Sequence, residues 1–110
     1  MKKINRVKKS QEFQELIHTG KKVTNHQYAL YYRPKKEEMN RIGITLSKKI
    51  GNAVVRNKLK RQVRMMCQDL IDFETCKYDA VIIVRFGYKE NDYLTNKNCL
   101  EKLFNKATML

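Results

Sequence analysis

The sequence predicts one α/β domain, on three observations. Segments with apolar residues at helical spacing are interspersed with segments that alternate apolar and polar side chains, in the order helix, strands, helix, strand, helix. The chain has 110 residues, enough for one modest hydrophobic core and too few for two. Its 42% apolar content suits a folded domain and not a disordered basic tail.

Residues 1–9 hold five cations (Lys2, Lys3, Arg6, Lys8, Lys9) and no acid. They read either as a basic N-terminal arm, about 1–9, or simply as a solvated terminus. Ser10 is the expected N-cap of a helix over about 10–19, in which Phe13, Leu16 and Ile17 recur at helical spacing and Gly20 supplies the stop. His26 to Arg33 alternates as a strand, with Tyr28, Leu30 and Tyr32 on one face and Ala29, Tyr31 and Arg33 on the other. Pro34 and the run Lys35-Lys36-Glu37-Glu38 predict a turn or loop. Arg41 to Ser47 alternates again. Ile42, Ile44 and Leu46 make a greasy face, opposite a nearly bare one of Gly43, Thr45 and Ser47 on which something else could lie.

Asn52 is the expected cap of the longest helix, over about 53–71. Its core stripe is Val55, Leu59, Val63, Met66, Cys67 and Leu70. Asn57, Lys60, Arg61 and Arg64 centre roughly opposite, with Arg56 beside them. Ala80 to Val84 is continuously apolar and predicts a central strand buried on both faces, ending at Arg85. A loop containing Gly87 then leads to Thr95, the expected cap of a last helix through about Lys106.

Lys and Arg number 24 against 11 Asp and Glu, a formal charge of +13. Self-repulsion on that scale calls for a polyanionic partner. No apolar run approaches the roughly 20 residues that span a bilayer, and the N-terminus lacks the apolar segment of a secretory signal. A cytoplasmic protein with no membrane partner is expected. Cys67, Cys76 and Cys99 are odd in number, form no C-x-x-C and lack metal-ligand spacing with His18 and His26. They are expected to be reduced thiols and not metal ligands.

The informative stretch is residues 47–64. From Met39 to Gln68 there are eight Lys or Arg and no acid. A merely solvated basic face without interleaved acids would repel itself. An RNA phosphate array instead satisfies Arg forks and Lys point charges together, while Asn57 offers a donor and an acceptor to a base edge or ribose hydroxyl. Phe13 and Tyr31 are candidate stacking rings. Tyr28 and Tyr32 share a phase with Leu30 and belong more naturally to the core. Catalytic motifs are missing, and Asp69, Asp72, Asp79 and Asp92 form no recognisable carboxylate cluster.

The run Ala53-Val-Val-Arg56-Asn57-Lys58-Leu59-Lys60-Arg61-Gln-Val-Arg64 resembles the signature of the bacterial ribonuclease P protein family, an Ala preceding R-N-x-[IL]-K-R-x-x-R. The preceding block from Arg41 to Asn52 is also similar. So are Arg6-Val-Lys-Lys-x-x-x-Phe13 with Gly20, Asn25 with Tyr31, and Asp79 to Arg85, so that the likeness covers essentially the whole chain.

The resemblance implies a two-layer α/β (α+β) sandwich of the ribosomal protein S5 domain 2-like kind. It has a central, mainly antiparallel sheet, three helices and a left-handed strand–helix–strand crossover, an exception to the usual hand. It implies a protein subunit of a ribonucleoprotein endoribonuclease whose catalyst is RNA using Mg2+, with no catalytic side chain and no protein metal site. The partners implied are ribonuclease P RNA and precursor tRNA, with no obligate protein partner. By position, Arg56, Asn57, Lys58, Lys60, Arg61 and Arg64 would dock on the catalytic RNA. Phe13, Ile17, Tyr31, Lys48, Lys49 and Arg85 would line or border the cleft for the 5′ leader. Ile17 stands where the family often has a second aromatic, and an aliphatic side chain packs against a base without offering a ring face.

Charge and composition alone leave two other classes open, a structural RNA-binding protein of the ribosomal kind and a self-sufficient nuclease. The 47–64 signature and the candidate aromatic cleft argue against the first. The lack of a carboxylate motif argues against the second.

Overall fold

A computed structural model describes residues 10–36 and 38–109, so the expected arm at 1–9 lies outside the described residues. Helix α1 (Ser10–Thr19) leads into strands β1 (Lys21–Thr24), β2 (Tyr28–Pro34) and β3 (Ile42–Leu46). Helix α2 (Ala53–Leu70), strand β4 (Tyr78–Val84) and helix α3 (Tyr93–Lys106) follow, with short 3-10 helices at Lys48–Ile50 and Phe86–Glu90.

The four strands form one mixed sheet in the order β1-β2-β4-β3. β2 is antiparallel to β1 and β4, whereas β3 and β4 are parallel neighbours joined through α2. Strand alternation gives the sheet two unlike faces. Tyr28, Leu30, Ile42, Ile44, Ala80, Ile82 and Val84 enter the main core with Leu59, Val63, Met66 and Cys67 of α2 and Leu100, Leu103 and Phe104 of α3. Tyr28 is fully buried, and its hydroxyl donates to the Asn96 carbonyl at 2.9 Å. On the reverse face, α1 lies over β2 and β4 and buries Leu16 together with Ala29 and Val81, outside the main core.

The helix expected over 53–71 is α2, and Asn52 caps it by accepting the Val55 N–H at 3.0 Å. Gly20 stops α1 as expected. Its N–H reaches the Leu16 carbonyl at 2.8 Å, and a Cβ there would meet that oxygen at 2.6 Å and the Tyr32 carbonyl at 3.0 Å.

One strand is additional to those expected, and three local expectations are corrected. β1 was not foreseen, because Val23 is its only apolar residue and an exposed edge strand needs no more. The strand expected from His26 begins at Tyr28, since Asn25 Oδ1 accepts from the Gln27 and Tyr28 N–H groups at 3.1 and 2.8 Å and holds a turn there. The last helix starts before Thr95: Asp92 is the cap, accepting the Thr95 N–H at 2.8 Å, so Thr95 is already helical. The loop at Gly87 is a 3-10 helix pressed so closely on the chain that a Cβ at Gly87 would stand 2.4 Å from the His26 carbonyl oxygen. No helix among the described residues is long and apolar enough to cross a membrane.

Candidate nucleic-acid interface

On α2, residues four apart stack into rows. Arg56, Lys60 and Arg64 form a half-buried row, flanked outward by exposed Asn57 and Arg61. The row therefore lies nearer the protein body than a position opposite the core would allow. Arg56, Asn57 and Lys60 meet Ala53, Leu46 and Thr45 in a groove of about 220 Å3, which joins the helix to the edge strand β3. Arg56 Nε is shielded from solvent and makes no hydrogen bond. Burial, followed by the charges of Arg64 and Arg56, holds Lys60 below the usual lysine range. An anion in the groove would relieve both penalties. Lys58 is not part of this row. It projects from another side of α2, lining a recess with Tyr88, Tyr93 and Asn96.

The reverse face of the sheet supplies a second surface, and α1 decides how much of it stays open. Glu12 pairs with Arg41, with Nη1 to Oε1 at 2.8 Å. Glu15 pairs with Arg33 at 2.9 Å and with Lys36. Arg33 lies opposite Asp79 in the sheet, and Arg41 immediately precedes β3, so the acidic flank of α1 is fastened at that end of the strands. At 100° per residue, Phe13 and Ile17 occupy the other flank, beyond buried Leu16. Both are half-buried. They overlook the rows in which Tyr31 is in register with Val81 and Gly43, and Ala29 with Ile83 and Thr45.

Tyr31 is half-exposed, and Lys22 Nζ stands 5.3 Å from its ring centroid. Lys22 comes from the unforeseen strand, and only the Lys22–Tyr31 register reveals it. Tyr32, on the core side, packs edge-on to Tyr78 with centroids 5.8 Å apart.

Arg85 continues the outward column of Val81 and Ile83, and its Nη1 donates to the Asn25 carbonyl at 2.8 Å. Lys48 and Lys49 are exposed on the 3-10 helix following Ser47, which accepts the Lys49 N–H at 3.2 Å. Thr45 thus belongs both to the sheet face and to the α2 groove, so the two cationic surfaces adjoin there.

The ionisable and sulfur groups elsewhere serve the fold. Asp79 is buried and accepts the Arg41 N–H at 2.8 Å, tying down the start of β3. Burial pushes the Cys67 thiol up to about 12 and raises that of Cys76. All three cysteines are free. Among the described residues no group of three or more His, Cys, Asp or Glu could hold a metal ion.

A family model described as Ribonuclease P matches residues 1–108. A Ribonuclease P protein component of Bacillus cereus is 43% identical over 110 residues, covering 99% of this chain and 96% of that one. One from Bacillus anthracis is also 43% identical, covering 99% and 92%. Among solved structures, the RNase P protein of Staphylococcus aureus superposes with a TM-score of 0.84 at 35% identity, over 96% of each chain. That of Thermotoga maritima gives 0.75 at 27% identity, over 91% of this chain and 96% of its own.

Proposed function

This chain belongs to the ribonuclease P protein family, and from that premise we propose that it is the protein subunit of a cytoplasmic ribonucleoprotein that removes the 5′ leader of precursor tRNA. The Arg56–Lys60–Arg64 row, with Asn57 and Arg61, docks on the catalytic RNA. The sheet face bearing Tyr31, bordered by Phe13, Ile17, Lys48, Lys49 and Arg85, holds the leader as a single strand. The carrying observation is the junction at Thr45, where an acid-free row of cations adjoins a bare strand face with a half-exposed ring. Phosphates require the first surface, and unpaired bases suit the second.

The chain offers no fitting cluster for magnesium among its described residues. In this reading the ion belongs to the RNA, as the family resemblance implies, and the protein's contribution is to neutralise phosphates and orient the substrate. Neither a membrane nor an obligate protein partner is needed.

The test is cleavage of precursor tRNA reconstituted with cognate catalytic RNA at low magnesium. The protein should stimulate cleavage and tighten binding only when a leader is present. Arg61→Ala or Arg64→Ala should weaken docking and lower the log–log salt slope by about 0.7–0.9 for each phosphate left unneutralised. Tyr31→Ala should affect leader affinity more than docking. Equal effects of both changes on both assays would refute the division into two surfaces, and no stimulation at all would refute the function.

A further inference from the structure

Four large hydrophobic side chains stand exposed among the described residues (Val54, Met65, Phe86 and Leu94), and only Phe86 carries a ring. It is 59% exposed at the start of the 3-10 helix that leaves β4 immediately after Arg85. Lys89 Nζ lies over the ring, 5.8 Å from its centroid, and also donates to the Ile50 carbonyl at 2.8 Å. The ring is therefore held beside the Lys48–Ile50 turn, with Arg85 adjacent in sequence. One face is occupied by an ammonium, and the exposure leaves the other open. The nearby acid Glu90 is engaged with His26 at 3.2 Å. The cations around the ring repel a further cation, and the ring face itself gains little from an acidic peptide's side chains. It suits a π-faced ligand on a polyanionic backbone, which is an unpaired nucleotide.

We infer that Phe86 is a stacking platform for one base of the leader, extending its path past Arg85 to the far end of the sheet, with Lys89, Lys48 and Lys49 beside the flanking phosphates. This rests on the assignment of the leader to the sheet face. Phe86 fixes where along the leader a second base is gripped, so affinity should step up at one leader length and not rise smoothly.

The test compares wild type, Phe86→Ala, Phe86→Leu, Phe86→Tyr and Tyr31→Ala in the complex with catalytic RNA, using precursor tRNAs with leaders lengthened one nucleotide at a time. Phe86→Ala and Phe86→Leu should lose about 5- to 150-fold in affinity, the span of one stacked base, only for leaders beyond a threshold length. Phe86→Tyr should retain it. An abasic residue at the threshold position should reproduce the loss in wild type and add nothing to Phe86→Ala. If Phe86→Ala binds every leader like wild type while Tyr31→Ala does not, the inference falls and the sheet-face reading stands. If neither change depends on leader length, both fall. A loss confined to catalytic-RNA affinity without tRNA also overturns the inference, because the stacked base then comes from the other RNA.

Discussion

Lys60→Gln should make the free protein more stable while making it a poorer RNA binder. Lys60 lies four residues after Arg56 and four before Arg64 on α2, and both burial and these neighbours depress its ionisation range. Each like-charge pair at that spacing costs about 0.2–0.5 kcal/mol, so removing the central charge relieves about 0.4–1 kcal/mol. Burial acts with the same sign, but solvent reaches the side chain and screens it, so the like-charge pairs set the magnitude. For a domain of this size the gain raises Tm by about 2–6 °C.

Thermal unfolding followed by circular dichroism at low salt and at about 1 M salt measures it. The gain should nearly vanish at high salt, where charges are screened within about 3 Å. It should also shrink as pH rises. A lysine whose folded pKa is below its unfolded value penalises the folded state fully at lower pH, and the penalty disappears as pH climbs through the ordinary lysine range. The salt slope of RNA docking should fall by the share of a single phosphate, about 0.7–0.9. A lower Tm would refute the reasoning, as would a gain that survives 1 M salt. A lower Tm would mean that the side chain acts through its packed stem, and Lys60→Met would then be harmless where Lys60→Gln is not.

Asp92→Ala removes the cap of α3 and should lower Tm by a few degrees, whereas Asp92→Asn keeps most of the cap. Hydrogen bonds from Thr95 hold the Asp92 carboxyl below its usual range. The advantage of Asp over Asn is therefore present above the ordinary carboxylate range and disappears as pH falls through the lowered value, where acid unfolding curves of wild type and Asp92→Asn should converge. Thr108 has φ 57°, a conformation costly for a β-branched residue. Thr108→Gly should stabilise the protein by about 0.5–1 kcal/mol after the entropy Gly adds to the unfolded chain, measured as an upward shift of the urea midpoint. Gly20→Ala places a methyl against the Leu16 and Tyr32 carbonyls. It should cost about 1–3 kcal/mol and, by lifting α1, weaken leader binding more than RNA docking.

The parts legible in the sequence were those with strong local signals. α2 was readable to its cap because an Asn precedes a long amphipathic run, and β4 because five apolar residues in a row are hard to place elsewhere. The cations of α2 were visible as a group, but their tilt toward β3 was not, since the helix's rotation is set by how Leu59, Val63 and Met66 pack. β1 carries too little hydrophobicity to register, which hid Lys22 as the neighbour of Tyr31. Asp92 and Thr95 are both residue types that cap helices, and the choice of Asp92 becomes visible only in the fold, where its side chain accepts the Thr95 N–H. An isolated aromatic in a segment that reads as a loop carries no signal of its own, so Phe86 is not legible in the sequence. Its exposure is a tertiary fact.

The parallel pairing of β3 with β4 has an electrical consequence. Both strands start at one end of the molecule, so α2 must run back between them, and its C-terminus delivers Asp69, Asp72 and Glu74 to the end where Asp79, Glu12 and Glu15 sit with Arg33, Lys36 and Arg41. Lys48, Lys49, Arg56, Arg85 and the positive pole of the α2 backbone gather at the opposite end. Among the described residues the charge is therefore spread unevenly: several of the acids are offset by Arg33, Lys36, Arg41 and Lys97, whereas the exposed lysines at the other end stay open to a polyanion. In the field of a large polyanion it experiences a torque before contact, rotates its cationic pole forward, and arrives pre-aligned. That alignment should raise the association rate more steeply at low ionic strength than a uniformly charged sphere of +13 would allow.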